Sequence, residues 1–223
     1  MPSNFPNSKT KLCRNGLKDW FDLLILDHGF LRIWWHNFHK VDNYLWRSNQ
    51  PTPGRIEDAY KKGIKTIINL RGVRNDGGWQ LEAEACKKFG LKLIDFTARS
   101  RAVPDKEMIY AAKKLFSSIE YPALIHCKSG ADRAGIMSAL YLIIVKNLPV
   151  STAIKELSIR YGHIKYAKTG LLDHFLLEFK KYQNEGVSFF DWIEKHYDPA
   201  IIESKFKTSR FANYFVNNLL NRE

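Results

Sequence analysis

The stretch LIHCKSGADRAG, residues 124–135, places a cysteine directly after a histidine and an arginine six positions beyond that cysteine. The preceding apolar run ALIH predicts a short buried strand, and the run that begins near Asp132 predicts a largely apolar helix. The loop from Cys127 to Arg133 therefore joins a strand end to a helix N-terminus. Successive N–H groups of such a loop turn inward and form a concave anion site, backed by the positive end of the helix dipole.

Four residues of this stretch fit catalysis at such a site. Gly130 supplies the backbone freedom that a tight loop needs. The helix N-terminus and Arg133 both favour the thiolate of Cys127 over its thiol, and the planar guanidinium can hold two phosphate oxygens. His126 is placed to order the loop through hydrogen bonds. Each residue also has an ordinary explanation, such as a thiol that fills the core, but the combination at this spacing favours a nucleophile.

Segments with strand and helix character alternate from residue 41 onward. The predicted strands are YLWRS, IKTIINL, LKLIDF and ALIH. Helices are predicted between them, with Gly63 and Gly90 ending the first two, and STAIKELSIRYG and KTGLLDHFLLEFKKY are predicted helices beyond Pro149. This order predicts an α/β fold, in which a central, mostly parallel sheet is flanked by helices and followed by a helical C-terminal part.

The bulk composition limits the partners and the compartment. A formal charge of +12 over 223 residues favours an anionic partner. Cys13, Cys86 and Cys127 lack paired spacing, which argues against a disulfide framework or a cysteine-based zinc site and for a reducing compartment. No segment approaches the roughly 20 apolar residues that span a bilayer. The sequence therefore predicts a cytoplasmic protein.

The segment HCKSGADRAG resembles the His-Cys-x-x-Gly-x-x-Arg signature of the cysteine-dependent protein tyrosine and dual-specificity phosphatases. The likeness extends over residues 41 to 148, because YLWRSNQP and IKTIINLRG look like upstream elements of bacterial and atypical dual-specificity members. The segments DHGFLR, RYGH and KTGLLD look like those of a bacterial subgroup. On this basis we expect an N-terminal extension (1–40) with an aromatic-rich helix packed on the core, a phosphatase domain (41–185) and a helical appendage (186–223).

The resemblance implies a two-step hydrolysis of phosphomonoesters that needs no metal or cofactor. Cys127 would attack phosphorus to give a phosphocysteine, an acid would protonate the leaving oxygen, and water would then release phosphate. Arg133 would stabilise the transition state together with the loop amides. The residues expected to bind the substrate are His126, Lys128, Ser129, Gly130, Ala131 and, outside the loop, Arg99.

The general acid is the first departure from the family pattern. Members carry an aspartate on a loop about thirty residues before the cysteine, but TARSRAVP (97–104) contains no carboxylate. Asp132 resembles the aspartate of some bacterial lipid phosphatases, and its alternative role is to stabilise the helix N-terminus. Asp105 follows Pro104 as in fungal and plant atypical members, but an acid at the start of a helix more often has a structural role there. Asp95 has the familiar spacing but falls within a predicted strand.

Ala134 is a second departure, because relatives place a serine or threonine directly after the arginine. We expect slower breakdown of the phosphocysteine as a result. Lys128 matches a lysine of tensin-type phosphoinositide phosphatases, and further cations of this region are Arg71, Arg74, Arg99 and Arg101. These features favour a polyanionic, phosphoinositide-like substrate, and a phosphorylated protein is the alternative.

Three other classes of function share some of these sequence features. Ala134 and the missing carboxylate are the features that would favour a phosphatase fold that only binds phosphate. The retained Cys127–Arg133 pair argues against it, because a binding module would not need the thiol. A rhodanese-type sulfurtransferase also places a reactive cysteine in an anion-binding loop, but its loop lacks this spacing of histidine, glycine and arginine. The charge permits a nucleic-acid binder, although no zinc-finger or RNA-binding motif supports one, so no nucleic acid is expected. Trp20, Trp34 and Trp35 with nearby lysines permit a peripheral membrane contact.

Overall fold

A five-stranded sheet lies at the centre of the protein, whose computed structural model describes residues 36–207. The strands are β1 (His39–Lys40), β2 (Leu45–Ser48), β3 (Thr66–Asn69), β4 (Lys92–Asp95) and β5 (Ala123–His126). Their order across the sheet is β1-β2-β5-β3-β4. The short β1 is antiparallel to β2, and all other neighbouring pairs are parallel. The predicted α/β fold with a mostly parallel sheet is confirmed.

Helices connect and flank these strands. They are α1 (Pro53–Lys61), α2 (Gly77–Phe89), α3 (Lys106–Ser118), α4 (Asp132–Ile144), α5 (Val150–Ala153), α6 (Leu171–Asn184) and α7 (Phe189–Lys195). Short 3-10 turns occupy Ile154–Glu156, Ile159–Tyr161 and Lys168–Gly170, and residues 199–207 are helical. None of the helices in this described part of the chain is long and apolar enough to cross a membrane.

Local sequence signals set the ends of several helices. The side chain of Asp76 accepts a hydrogen bond from the backbone N–H of Trp79 at 3.0 Å and caps α2. Gly90 ends α2 in the left-handed conformation with a φ of 67°, and Gly63 follows α1 with a φ of 81°. Both glycines stand where the sequence predicts them, because only glycine adopts this conformation without steric cost.

The predicted helix over STAIKELSIRYG (151–162) is wrong as a single element. The α-helical part ends at Ala153, and Leu157 leaves the helical region with φ −100° and ψ 78°. The carbonyl oxygen of Glu156 accepts a hydrogen bond from the buried side chain of Arg47 at 2.7 Å instead of from the next helical turn. A tertiary contact therefore overrides local helix propensity here.

The core lies around α4, whose residues 134–143 are all buried. A helix that is apolar on every side belongs to the interior of a fold. On the far side of this core, α6 and α7 pack through Phe175, Phe179 and Trp192, with centroids of neighbouring rings 5.2 to 5.5 Å apart. The predicted domain limits at 40 and 186 stay predictions. The predicted N-terminal aromatic helix and residues 208–223 lie outside the described residues, apart from 36–40.

Candidate active site

Cys127 follows β5, which lies between β2 and β3 in the middle of the sheet, and α4 begins five residues later. The predicted strand–loop–helix arrangement is confirmed. The cysteine is buried, with 2% of its surface exposed, and its Sγ accepts a hydrogen bond from the backbone N–H of Gly130 at 3.2 Å. The thiol thus lies at the bottom of the loop, with a backbone amide directed at it.

Four successive carbonyl groups of the loop are bound by groups outside it. Each of the four carbonyls from Lys128 to Ala131 accepts a hydrogen bond from a group upstream of β3. The donors are, in order, the Gln50 N–H (3.3 Å), the Asn37 side-chain amide (2.8 Å) and, for the last two carbonyls, the Arg47 guanidinium (2.7 and 3.0 Å). In a trans peptide the next N–H points opposite to the carbonyl. The amides of residues 129–132 therefore turn to the inner side of the loop, where they can bind an anion.

Arg47 is the main organiser of this geometry, and sequence reasoning missed it. Its side chain is fully buried, and Nη1 donates to both the backbone oxygen and the carboxylate of Glu156, each at 2.7 Å. The guanidinium carbon lies 4.0 Å from the centre of the Tyr161 ring. An arginine within a buried strand is a signal in itself, because buried cations are almost always paired.

Gly130 has no room for a side chain. Its φ is 76°, and a Cβ at this position would lie 2.7 Å from both the backbone nitrogen of Asn49 and the carbonyl carbon of Ser48. Only glycine fits both the left-handed conformation and the close approach of the β2 end to the loop. The sequence predicts this backbone freedom at Gly130, and the geometry confirms it.

His126 joins a buried hydrogen-bond chain behind the loop. Its Nε2 lies 2.5 Å from Oε1 of Glu82, and both side chains are fully buried. The other carboxylate oxygen of Glu82 accepts from the side-chain amide of Gln50 at 3.0 Å, and Gln50 in turn accepts from Arg71. Because the backbone N–H of Gln50 holds the Lys128 carbonyl, this chain connects α2 to the loop.

Asp132 begins α4, and its carboxylate contacts His163, the last residue of the RYGH segment. The Nδ1 of His163 lies 2.7 Å from Oδ1 of Asp132, and its Nε2 lies 2.6 Å from Oδ2 of Asp173. Burial lowers the pKa of His163, but the hydrogen bonds to Asp132 and Asp173 and their charges outweigh that effect and raise its pKa to about 9. The imidazole is therefore protonated at neutral pH.

Arg133 is half-buried at the first turn of α4, and no carboxylate within residues 36–207 forms an ion pair with it. Ala134, the next residue, is fully buried in the core. Arg133 thus follows the loop directly, and its charge is not paired with a carboxylate of the described residues. This arrangement can hold a dianionic group.

The other two candidate acids form their hydrogen bonds with residues outside the loop. Asp105 caps α3, where its Oδ1 accepts from the N–H of Met108 at 2.8 Å. Together with Arg99 it lines a pocket of about 400 Å³, whose described lining residues all fall between Phe96 and Ala111. Asp95 accepts hydrogen bonds from the Asn69 amide at 2.7 Å and from the Trp79 indole at 3.0 Å.

The cations expected around the site divide into two groups. Arg71 and Arg74 both contact the carboxylate of Asp76, and the side chain of Arg71 is only 3% exposed. Arg99 and Arg101 are exposed, and Lys128 and Ser129 lie on the outer part of the loop. The exposed Arg99 and Arg101 therefore lie on the segment that follows β4.

Comparison with known protein families identifies the family to which this chain belongs. A family model described as "DSP-PTPase phosphatase fused to NAD+ Kinase" matches residues 36–169, which is more than half of the chain. The chain is a member of this dual-specificity phosphatase family. The match includes β1 to β5, the signature loop and His163.

Curated members similar to this chain come from distant organisms. The dual specificity protein phosphatase TpbA of Pseudomonas aeruginosa is 24% identical over 123 residues, which are 54% of this chain and 53% of that protein. The inositol diphosphatase DSP4 of Arabidopsis thaliana is 30% identical over 106 residues, 45% of this chain and 52% of that protein. The chain thus spans about half the length of these relatives.

Solved structures show the same fold. The crystal structure of P. aeruginosa TpbA aligns with a TM-score of 0.51 at 20% identity and covers 64% of this chain and 84% of that one. The active form of Tk-PTP aligns with a TM-score of 0.50 at 17% identity and covers 65% and 98%. At these identities the likeness concerns the fold alone, and the protein tyrosine phosphatase-like architecture is confirmed.

Proposed function

We propose that this protein hydrolyses phosphomonoesters, with Cys127 as the nucleophile and with Arg133 and the loop amides as the phosphate site. The observation that carries the proposal is the outward orientation of four successive carbonyls around a buried thiol. A core cysteine needs no such arrangement. A thiolate and a bound phosphate both need inward amides, which compensate negative charge in a site that excludes water.

The reaction proceeds in two displacements. The Cys127 thiolate attacks phosphorus, a P–S bond forms as the P–O bond breaks, and the leaving oxygen takes a proton. Water then attacks the phosphocysteine, and inorganic phosphate and the thiolate are released. Arg133 holds the equatorial oxygens through both steps. His126, Lys128, Ser129, Gly130 and Ala131 shape the binding loop.

We propose Asp105 as the proton donor to the leaving oxygen. It lines the open pocket together with Arg99. Both residues follow β4, and Cys127 follows β5, so all three come after the carboxyl ends of parallel strands. Asp132 is adjacent to Arg133, but its carboxylate is already hydrogen-bonded to a protonated histidine. The second step has no hydroxyl at position 134 to assist it, so we expect phosphocysteine to accumulate.

A polyanionic substrate is favoured over plain phosphotyrosine. The exposed Arg99 and Arg101, the loop residue Lys128 and the net charge of +12 all suit a group with more than one phosphate. The likeness to an inositol diphosphatase supports this choice, whereas the likeness to the dual specificity phosphatase TpbA supports a phosphorylated protein.

The first experiment measures phosphate release from p-nitrophenyl phosphate between pH 5 and 8. We expect Cys127→Ser to abolish turnover. Cys86→Ser is the matched control, because Cys86 is a buried core thiol whose burial raises its pKa, and it should leave turnover within about threefold of wild type. Rapid quenching should trap phosphocysteine in the wild type. Turnover retained in Cys127→Ser would refute the mechanism.

The competing function is a phosphate-binding module. Ala134 and the absence of a carboxylate from residues 97–104 favour it. A wild type that hydrolyses neither aryl phosphates, phosphopeptides nor inositol phosphates, yet binds inorganic phosphate in calorimetry, would establish this alternative.

A further inference from the structure

Two sequence motifs that the proposed mechanism does not use meet beside the signature loop. RYGH ends in His163, and KTGLLD ends in Asp173 within the first turn of α6. The imidazole of His163 is buried, with 2% of the residue exposed, and it bridges Asp173 to Asp132, the residue before Arg133. The two motifs thus converge on the catalytic loop from outside it.

The geometry fixes the number of protons in this cluster. Both ring nitrogens lie within 2.7 Å of a carboxylate oxygen, and a carboxylate can only accept. A neutral imidazole has one N–H and would leave one of the two contacts without a proton. The two contacts therefore need two protons. The raised pKa of His163 assigns both to the ring, which makes it an imidazolium between two carboxylates, and these two are the charged groups that face the ring.

The segment that carries His163 is itself held firmly. A Cβ on Gly170 would lie 1.7 Å from the carbonyl oxygen of Lys165, so the chain is closely packed on itself just before α6. The carbonyl of Tyr161 accepts from the side-chain amide of Asn37 at 2.9 Å, and the same amide holds the Ser129 carbonyl. Two sets of hydrogen bonds thus connect this segment to the loop. One joins His163 to Asp132, and the other joins Tyr161 to Ser129 through the side-chain amide of Asn37.

We propose that His163 is a positioning residue that keeps Asp132 as a carboxylate turned toward α6, so that Asp132 fixes the first turn of α4 and does not protonate the leaving group. The inference rests on the proposed function and deepens it. An ionised Asp132 at the N-terminus of α4 is also favoured by the helix dipole. Arg133 and the N-terminal amides of α4 keep their places because their helix end is tied to α6.

Kinetics with a series of leaving groups tests this assignment. The substrates are phenyl phosphate, which has a poor leaving group, and p-nitrophenyl and 2,4-dinitrophenyl phosphates, which have better ones. We expect Asp132→Asn and His163→Asn to lower kcat/KM, which reports the formation of the phosphocysteine, by about tenfold or more on all three, and the double variant to be no worse than Asp132→Asn alone. His196→Asn, a change of an exposed histidine directly after α7, should leave all three rates unchanged.

The opposite pattern identifies a general acid. Removal of a proton donor costs roughly 10²- to 10⁴-fold with poor leaving groups and little with good ones. If Asp132→Asn loses about 100-fold on phenyl phosphate but retains the 2,4-dinitrophenyl phosphate rate, the proposal is overturned and Asp132 is the acid.

A second measurement does not depend on turnover. Nitrogen-15 NMR of the full chain, with His163→Asn for assignment, should show both ring nitrogens of His163 protonated at pH 7.5. A neutral ring at that pH would overturn the proposal. If the wild type hydrolyses no substrate, the proposed function fails. The positioning role of His163 is then tested by the binding of inorganic phosphate instead of by kinetics. His163→Asn should then weaken phosphate binding about tenfold or more, and an unchanged affinity would contradict the positioning role.

Discussion

At the scale of single residues, the buried guanidinium of Arg47 stabilises the loop and the segment after α5 at once. It donates to the carbonyls of Gly130 and Ala131 and to the backbone and carboxylate of Glu156. Its partners are 83 to 109 residues away in the sequence, so no local pattern connects them. The signature itself identifies Cys127 and Arg133, but it does not reveal what shapes the loop around them.

Replacement of Arg47 by methionine should destabilise the protein strongly. The change leaves the Glu156 carboxylate buried without its cation and two loop carbonyls without donors, which costs about 3–5 kcal/mol. Urea unfolding gives the free energy directly. Lys61→Met is the control, because its pair with Glu57 is exposed to solvent and should contribute little to stability. A loss below about 1 kcal/mol for Arg47→Met would show that the loop does not depend on this side chain.

At the scale of secondary-structure elements, the segments with clear end signals match their prediction. Asp76 and Gly90 bound α2, and the Pro-Asp pair before α3 ends in the capping residue Asp105. The segment 151–162 differs because the carbonyl of Glu156 finds its partner in Arg47 on β2. Local signals thus predict helices that satisfy their own backbone groups, and they fail where a buried side chain supplies the partner.

The two roles of Asp105 can be separated by paired substitutions. Asparagine can still accept from the Met108 N–H and cap α3, whereas alanine cannot, so Asp105→Ala should lose about 1 kcal/mol of unfolding free energy that Asp105→Asn retains. As the proposed proton donor, Asp105→Asn should slow phenyl phosphate hydrolysis more than 2,4-dinitrophenyl phosphate hydrolysis. Equal rates of Asp105→Asn and wild type on phenyl phosphate would leave Asp105 with the capping role alone.

At the scale of the whole molecule, His163 couples the stability of the fold to pH. Its pKa rises from 6.5 in the unfolded chain to about 9 in the folded one. A raised pKa means that the folded state binds the proton more tightly. The stabilisation is therefore complete below pH 6.5 and is lost as the pH rises through about 9.

The comparison that isolates this effect is wild type against His163→Asn in urea unfolding at pH 6, 7.5 and 9.5. We expect the wild type to be more stable at pH 6, and the difference to shrink steadily toward pH 9.5. Lysine and tyrosine titrations are common to both proteins and cancel in the difference. A difference that does not change with pH would mean that the imidazole is not protonated in the folded state.

The sequence by itself determined the α/β class, the strand–loop–helix frame around Cys127 and the family, because these depend on periodicity and on residues adjacent in the chain. It left the roles of Asp132 and Asp105 open, and it indicated no role for Arg47, Asn37 or Asp173. Only the tertiary structure decided their contacts, because hydrogen bonds between buried polar groups form between segments far apart in the chain. Burial makes each such group dependent on a specific partner. The chemistry of the loop is thus local in sequence, whereas its shape and protonation depend on the whole fold.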